Sequence, residues 1–216
     1  MNFDDAAAMW NKRFSAPGFL FGTEPNGWLK EHAGAWSPGQ RVLCIADGEG
    51  RNSVWLAQRG LRVDAFDISE VALRKARRYA QDHGVEVDFA QADIAAVAWP
   101  HQVYDGVAAI FFQFAGPGLR GRIFEGLVRC LKPGGTLVLQ GYTPKQLEYR
   151  TGGPGAESHM YTPQLLREAF AGLEILELRE YEEDLAEGTA HHGRSALIGL
   201  VARKPQAAPA PNHSDQ

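Results

Sequence analysis

Apolar positions along the chain fall into short unbroken runs separated by amphipathic stretches and by glycine-rich breaks. Arg41 to Ala46 is the first clear case: Val42, Leu43, Cys44 and Ile45 follow one another without a polar residue and end in a glycine-rich turn. Such a run predicts a strand buried on both faces. Asn52 is placed to cap a helix over Ser53 to Arg59, which Gly60 stops. Leu61 to Phe66 is the second expected strand. Ser69 caps a long helix to about His83, ended by Gly84. Val85 to Ala90 alternates as a third strand, and Tyr104 to Phe111 is apolar nearly throughout as a fourth. Leu119, Ile123, Leu127 and Leu131 mark one face of a helix that Pro133–Gly134–Gly135 terminates. Thr136 to Gln140 is the fifth strand, and Thr162–Pro163 opens a helix to about Phe170. Leu173 to Tyr181 and Arg194 to Arg203 are the last two strands, joined by a loop rich in Gly and His.

Strand and helix thus alternate five times before a closing hairpin. The pattern predicts an α/β fold: a doubly wound, mostly parallel seven-stranded sheet with an antiparallel last strand and helices on both faces. No repeat or linker divides the chain, so residues 1–204 are read as one domain. Residues 205–216 form a Pro/Ala-rich polar tail expected to be disordered. Residues 1–35 carry Trp10, Phe14, Phe19, Phe21 and Trp28, too many aromatics for a loose leader. They are expected to pack over the carboxyl edge of the sheet as a lid.

Charge narrows the choice of partner. The 216 residues sum to a net charge of −4, which lacks the basic excess of a phosphate-binding surface. A small-molecule substrate is expected, with no nucleic-acid partner. The N-terminus has no apolar signal core, and the longest uncharged run, Gly106 to Leu119, is too short to cross a bilayer. The expectations are no membrane association, a cytoplasmic location and a monomer or weak homodimer. Cys44 and Cys130 read as reduced, structural thiols.

Three features carry candidate chemistry. Ala46–Asp47–Gly48–Glu49–Gly50 follows the first strand; glycine there allows a sharp turn, and the next helix start offers free N–H groups. By itself this is equally a tight strand–helix connection. Asp67 lies 19 positions beyond Gly48, close to the spacing of a carboxylate that grips ribose hydroxyls. Gln91–Ala92–Asp93–Ile94 follows the third strand, where Asp93 is able to accept from an adenine amino group and Ile94 to cover its ring.

The order of these features with Leu131–Lys132–Pro133–Gly134–Gly135 resembles the class I methyltransferases that depend on S-adenosylmethionine. Trp10–Asn11–Lys12–Arg13–Phe14, Phe21 to Asn26, Gly48 to Asn52 and Gly188 to Gly193 further resemble the tellurite-resistance and thiopurine branch of that family. The resemblance implies S-adenosylmethionine as cofactor, in a site of Ala46, Asp47, Gly48, Gly50, Asn52, Asp67, Ile68, Asp93, Ile94 and Phe111. Gly48 and Gly50 would line the methionine portion, Asp67 the ribose, Asp93 and Ile94 the adenine. Two positions depart from the family pattern. Cys44 stands where the first strand normally has an acid, with Asp47 as a possible substitute, and Ala46 stands for the first glycine. At the end of the fourth strand, Phe111–Phe112–Gln113–Phe114 replaces the Asn/Asp-Pro-Pro-aromatic motif of enzymes that methylate DNA bases or glutamine.

The expected reaction is methyl transfer to a small acceptor: a thiol, a selenium or tellurium compound, or a heterocyclic sulfur compound. Trp10, Phe14, Phe21, Gln113, Tyr142 and His191 are the expected substrate pocket. His191 and Tyr142 are the candidates for a catalytic contact. No metal is expected: His191 and His192 point opposite ways in an extended segment. Two other readings compete, an NAD-dependent oxidoreductase using Gly48 to Ser53 and Asp67, and a non-catalytic domain that binds S-adenosylmethionine.

Overall fold

The computed structural model describes residues 3–206, apart from the side chain of Phe3; the expected tail after residue 206 lies outside the described residues. Seven strands form one sheet: β1 (Arg41–Ile45), β2 (Arg62–Asp67), β3 (Asp88–Gln91), β4 (Tyr104–Ile110), β5 (Leu131–Tyr142), β6 (Glu174–Glu187) and β7 (His191–Arg203). Their spatial order is β3-β2-β1-β4-β5-β7-β6. The first five are parallel, and β7 runs antiparallel between β5 and β6. Helices α1 (Phe3–Phe14), α2 (Gly27–His32), α3 (Arg51–Gln58), α4 (Glu70–Asp82), α5 (Pro117–Cys130), α6 (Gln146–Tyr149) and α7 (Pro163–Ala169) accompany them.

Alternation within each strand supplies both faces of the sheet. In β1, Val42 and Cys44 join the core under α2 and α3, with Trp28, Leu29 and Leu56. Leu43 and Ile45 join the opposite core, with Ile123, Phe124 and Leu127 of α5 and Leu166 of α7. This is why β1 is apolar without interruption. Both cysteines are free and buried. Ser69 caps α4 by accepting from Ala72 N, and Thr162 caps α7 by accepting from Leu165 N, as expected from the sequence.

Several boundaries differ from the sequence reading. Helix α3 begins at Arg51 behind Gly50, so Asn52 lies inside the helix rather than capping it. Its amide oxygen instead accepts from Asn26 N at 3.0 Å. Leu131 starts β5 instead of ending α5, and Lys132–Pro133–Gly134–Gly135 lies within that strand. There the β4–β5 register shifts, so residues 132–135 stand opposite Asp105 alone. Lys132 Nζ pairs with Asp105 Oδ1 at 2.8 Å, which fixes the bulge at the sheet edge opposite the carboxyl ends. Strands β6 and β7 extend beyond Tyr181 and Arg194, leaving only residues 188–190 between them. His191 is therefore the first residue of β7, not a loop histidine.

No helix among the described residues is long and apolar enough to cross a membrane.

Candidate active site

The strand order reverses between β1 and β4, and the loops leaving their carboxyl ends diverge there. Ligands of open α/β sheets bind in this crevice. A cavity of about 350 Å³ occupies it, within the size range of small-molecule sites. Its floor is made of strand ends. Ala46, Asp47 and Gly48 follow β1, Asp67 ends β2 with Ile68 next, Asp93 and Ile94 follow β3, and Phe111 follows β4. Ala46 and Phe111 both hold left-handed backbone, with φ of 47° and 53°. Non-glycine residues in that region are strained and concentrate at functional sites.

Asp67 organises the floor. Its Oδ2 accepts from Gly48 N at 2.9 Å and its Oδ1 from Ser69 N at 2.8 Å. One buried carboxylate thus fixes the loop after β1 and the start of α4. Two of its lone-pair directions are used, and a carboxylate has about four. Burial pushes its pKa up, opposed by the Ser69 and Gly48 N–H groups.

Asp47 sits beside it, buried, with Oδ2 accepting from Ser53 Oγ. Its Oδ1 has no hydrogen-bond partner. Burial drives this carboxyl up to about 7, and Asp67 adds to the shift, while the Ser53 hydroxyl and Arg51 oppose it. A buried carboxylate oxygen without a donor costs free energy until a donor or cation arrives. Gly50, by contrast, lies away from the cavity. A Cβ there would stand 2.9 Å from Ala76 Cβ, and its φ is +87°. Its requirement for glycine comes from packing against α4.

The roof comes from the N-terminal segment. Ala6, Met9, Trp10 and Phe14 of α1, with Phe21 beyond it, face the floor. Trp10 stacks on Phe14 at 5.6 Å and meets Phe114 edge-on at 6.1 Å. The Phe14 ring covers Gly48, its nearest carbon 3.4 Å from where a Cβ would project. Met9 and Phe114 remain 41% exposed and form an apolar rim.

Polar contacts hold this roof down. Asn11 Oδ1 accepts from Ser69 Oγ at 2.7 Å and from Val71 N at 3.2 Å, tying α1 to the start of α4. Glu49 Oε2 accepts from Leu20 N at 2.6 Å, and its Oε1 pairs with Lys75 Nζ at 2.8 Å. Lys75 also donates to the carbonyls of Ala16 and Gly18. The β6–β7 turn clasps the same segment, with Thr189 N donating to Leu20 O at 3.0 Å. A Cβ on Gly188 would come within 2.4 Å of Gly22 N and Leu20 O.

Glu187 is the hub of this attachment. Its Oε1 accepts from Asn26 Nδ2 at 2.8 Å, and its Oε2 from Arg51 at 2.7 Å. Asn26 Nδ2 also donates to Gln140 Oε1 at 2.5 Å. Burial alone would raise the Glu187 pKa, but His191 and Arg51 hold it down at about 2.

His191 lines the cavity between Phe21 and Phe111, with ring centroids 4.6 and 4.5 Å away. Its Nδ1 lies 3.6 Å from Glu187 Oε2. Burial lowers its pKa, Glu187 opposes that, and Arg51 and Arg13 reinforce it.

Most of the expected residues share this one cavity: Trp10, Phe14, Phe21, Ala46, Asp47, Gly48, Asn52, Asp67, Ile68, Asp93, Ile94, Phe111 and His191. Gln113 and Tyr142 are not in its wall. The Gln113 amide donates to the carbonyls of Tyr142 and His159 and accepts from Tyr142 N, so it joins the end of β4 to β5. Tyr142 is buried behind Phe111, stacked on it at 4.7 Å. Phe114, at the end of the Phe111–Phe114 segment, lines the cavity as well, and so do Arg51 and Met9, which the sequence does not assign to the site. Arg51 adjoins Asn52 in the motif already singled out, but no periodicity showed which way it would point.

Comparison with known proteins agrees with this architecture. Residues 42–135 match the methyltransferase domain family. A demethylmenaquinone methyltransferase of Thermus thermophilus is 35% identical over 107 residues, covering 49% of this chain and 48% of that protein. The chain spans about half the length of the curated relatives it matches. A structure solved for the conversion of a disulfide bond into a thioacetal group during echinomycin biosynthesis superposes with a TM-score of 0.76 at 18% identity. The match covers 96% of this chain and 93% of the other. TehB from Haemophilus influenzae superposes with a TM-score of 0.68 at 21% identity, covering 92% of this chain and 66% of TehB. The fold is thus that of the class I, Rossmann-like methyltransferases, and residues 42–135 match a methyltransferase domain.

Proposed function

We propose that the chain is an S-adenosylmethionine-dependent methyltransferase acting on a small, soft, uncharged acceptor. The observation that carries this reading is Asp47 in the cavity lining, a buried carboxylate whose Oδ1 has no partner, beneath an aromatic roof. The methyl donor bears an ammonium group, which suits Asp47. Its ribose hydroxyls suit the remaining lone pairs of Asp67, and its adenine suits the pocket edge at Asp93 and Ile94. Asp47 thereby serves where Cys44 replaces the usual strand acid. The donor brings an activated methyl group, so the protein's task is alignment and exclusion of water.

A nicotinamide cofactor is less compatible. Its pyrophosphate would have to approach the start of α3 beside the carboxylates of Asp47 and Glu49, both buried there. The matched domain supports methyl transfer over hydride transfer.

For the acceptor, Arg51 is the only lysine or arginine among the described cavity residues, and Glu187 already pairs with it. That favours neutral thiols and heterocyclic sulfur compounds over oxyanions of selenium or tellurium. The test is incubation with methyl-labelled S-adenosylmethionine and a panel of alkyl thiol, aryl thiol, thiopurine, selenite and tellurite. Labelled thioether is the expected product. Methylation of purified RNA or protein alone would overturn the small-molecule reading, and the absence of turnover with any acceptor would leave only a binding domain.

A further inference from the structure

We infer that His191 receives the acceptor's proton at Nε2 and that Glu187 is the positioning residue that selects the tautomer able to do so. The inference rests on the methyltransferase reading and adds to it the class of acceptor, one that arrives carrying an X–H proton.

The argument starts from the two ring nitrogens. Nδ1 is buried and makes no hydrogen bond, and it faces Glu187 Oε2 at 3.6 Å. That distance is too long for a hydrogen bond but close enough for the carboxylate to act through space. A lone pair on Nδ1 would face a negative charge, whereas an N–H there is attracted to it. The neutral ring therefore carries its proton on Nδ1, and Nε2 presents its lone pair on the cavity side. Nε2 has no hydrogen-bond partner among the described residues, while the ring itself lines the cavity.

Glu187 holds this position because it is itself fixed from two sides, by Arg51 of α3 and by Asn26 of the N-terminal segment. The charged or titratable groups facing His191 are Glu187 from β6, Arg51 from α3, Arg13 from α1 and Tyr142 from β5. The two arginines and burial keep the ring neutral near pH 7, the state a proton acceptor must start from. Tyr142 packs edge-on at 5.8 Å and restrains the ring plane.

The proton balance is simple. The X–H proton of the acceptor moves to Nε2, and the X electron pair forms the new bond to the methyl carbon. The pair of the broken carbon–sulfur bond stays on sulfur. The imidazolium, now facing Glu187, later returns its proton to water. Acceptors already ionised in solution have no use for this step.

The test is nitrogen NMR of the histidine-labelled full chain, free and with S-adenosylhomocysteine, through pH 5 to 8. Wild type is compared with Glu187→Gln. The expected result is an excess of the Nδ1–H tautomer in wild type, with that excess lost and the midpoint lowered in the variant. An Nε2–H tautomer in wild type would overturn the inference, and so would a folded Glu187→Gln protein with an unchanged tautomer ratio. The wild-type measurement decides even where the variant does not fold. Calorimetry of S-adenosylhomocysteine on the same samples separates the two claims: failure to bind refutes the donor site, while the tautomer ratio reports on Glu187 independently.

Discussion

The floor and the roof of the cavity are built on different principles. The floor is a set of strand ends braced over short distances, with Asp67 reaching Gly48 N and Ser69 N. The roof is an aromatic helix held by buried polar contacts between residues far apart in sequence, with Asn26 meeting Gln140 and Glu187. The floor's position follows from the sheet. The roof's position depends on a few side chains, of which Asn26 and Glu49 are buried and Glu187 bonds Arg51 and faces His191, both in the cavity wall. A contact that holds the roof therefore also sets the electrostatics of the acceptor side.

The largest expected effect falls on that attachment. Glu187→Ala leaves the buried Arg51 guanidinium without its partner and removes one of the two acceptors of Asn26 Nδ2. A loss of about 3–5 kcal/mol of folding stability is expected, measured by urea denaturation. Amide exchange of residues 19–26 should rise more than that of β1. Equal loss of protection in both regions would mean that roof and floor unfold as one unit.

Asp67→Ala strikes the floor instead. Two buried backbone N–H groups lose their acceptor, at about 1–3 kcal/mol, and the proposed ribose contact is removed. Calorimetry should show a drop in S-adenosylhomocysteine affinity of about tenfold or more, with the N-terminal segment still protected.

The two regions also respond to pH in opposite senses. Glu187 has a folded pKa depressed to about 2. Its contribution is fully present above its ordinary value of 4.5 and is lost as pH falls from there towards 2. Asp47 has a folded pKa raised from 3.8 to about 7. The folded state holds that proton more tightly, so ligand-free stability declines as pH rises through this window. Thermal unfolding of wild type against Asp47→Asn should show the neutral-pH penalty relieved in the variant.

Trp10→Ala tests the roof's surface without its attachment. Trp10 is half-buried and makes ring contacts but none of the tying hydrogen bonds. Stability should change by less than about 1 kcal/mol, while KM for a thiol acceptor rises and donor affinity stays within a factor of about two. Smallest is Ala46→Gly. It relieves a left-handed alanine at φ 47°, worth about 1 kcal/mol, against a similar entropic cost of glycine. The midpoint of unfolding should stay nearly constant.

The same contrast explains what was legible in the sequence. Strand runs, the caps at Ser69 and Thr162, and Asp67 at the end of β2 are local signals, and they locate the floor. The aromatic content of residues 1–35 indicated a cover. The attachment was not legible, because Asn26, Arg51 and Glu187 form no spacing pattern and meet only through the tertiary fold. Pro133–Gly134–Gly135 reads as a helix stop, yet it enters β5 as a bulge, because Leu131 pairs with Tyr104 of β4 and Gly134 and Gly135 exchange backbone hydrogen bonds with Lys204 just past β7. The end of β6 is not legible because exposed Glu183 and Asp184 break the apolar signal after Tyr181, which leaves His191 reading as a loop residue. Gln113 and Tyr142 stood near the right strand ends, but Gln113 is consumed by backbone hydrogen bonds and Tyr142 packs behind Phe111.

The most direct test of the central claim is calorimetric titration with S-adenosylhomocysteine from pH 6 to 8, in buffers of different ionisation enthalpy, for wild type and Asp47→Asn. The account predicts binding to wild type with release of a proton below about pH 7, as the ligand ammonium converts Asp47 to its carboxylate, and loss of that release in the variant. No binding to wild type, or binding with identical proton release in a folded Asp47→Asn protein, would contradict it.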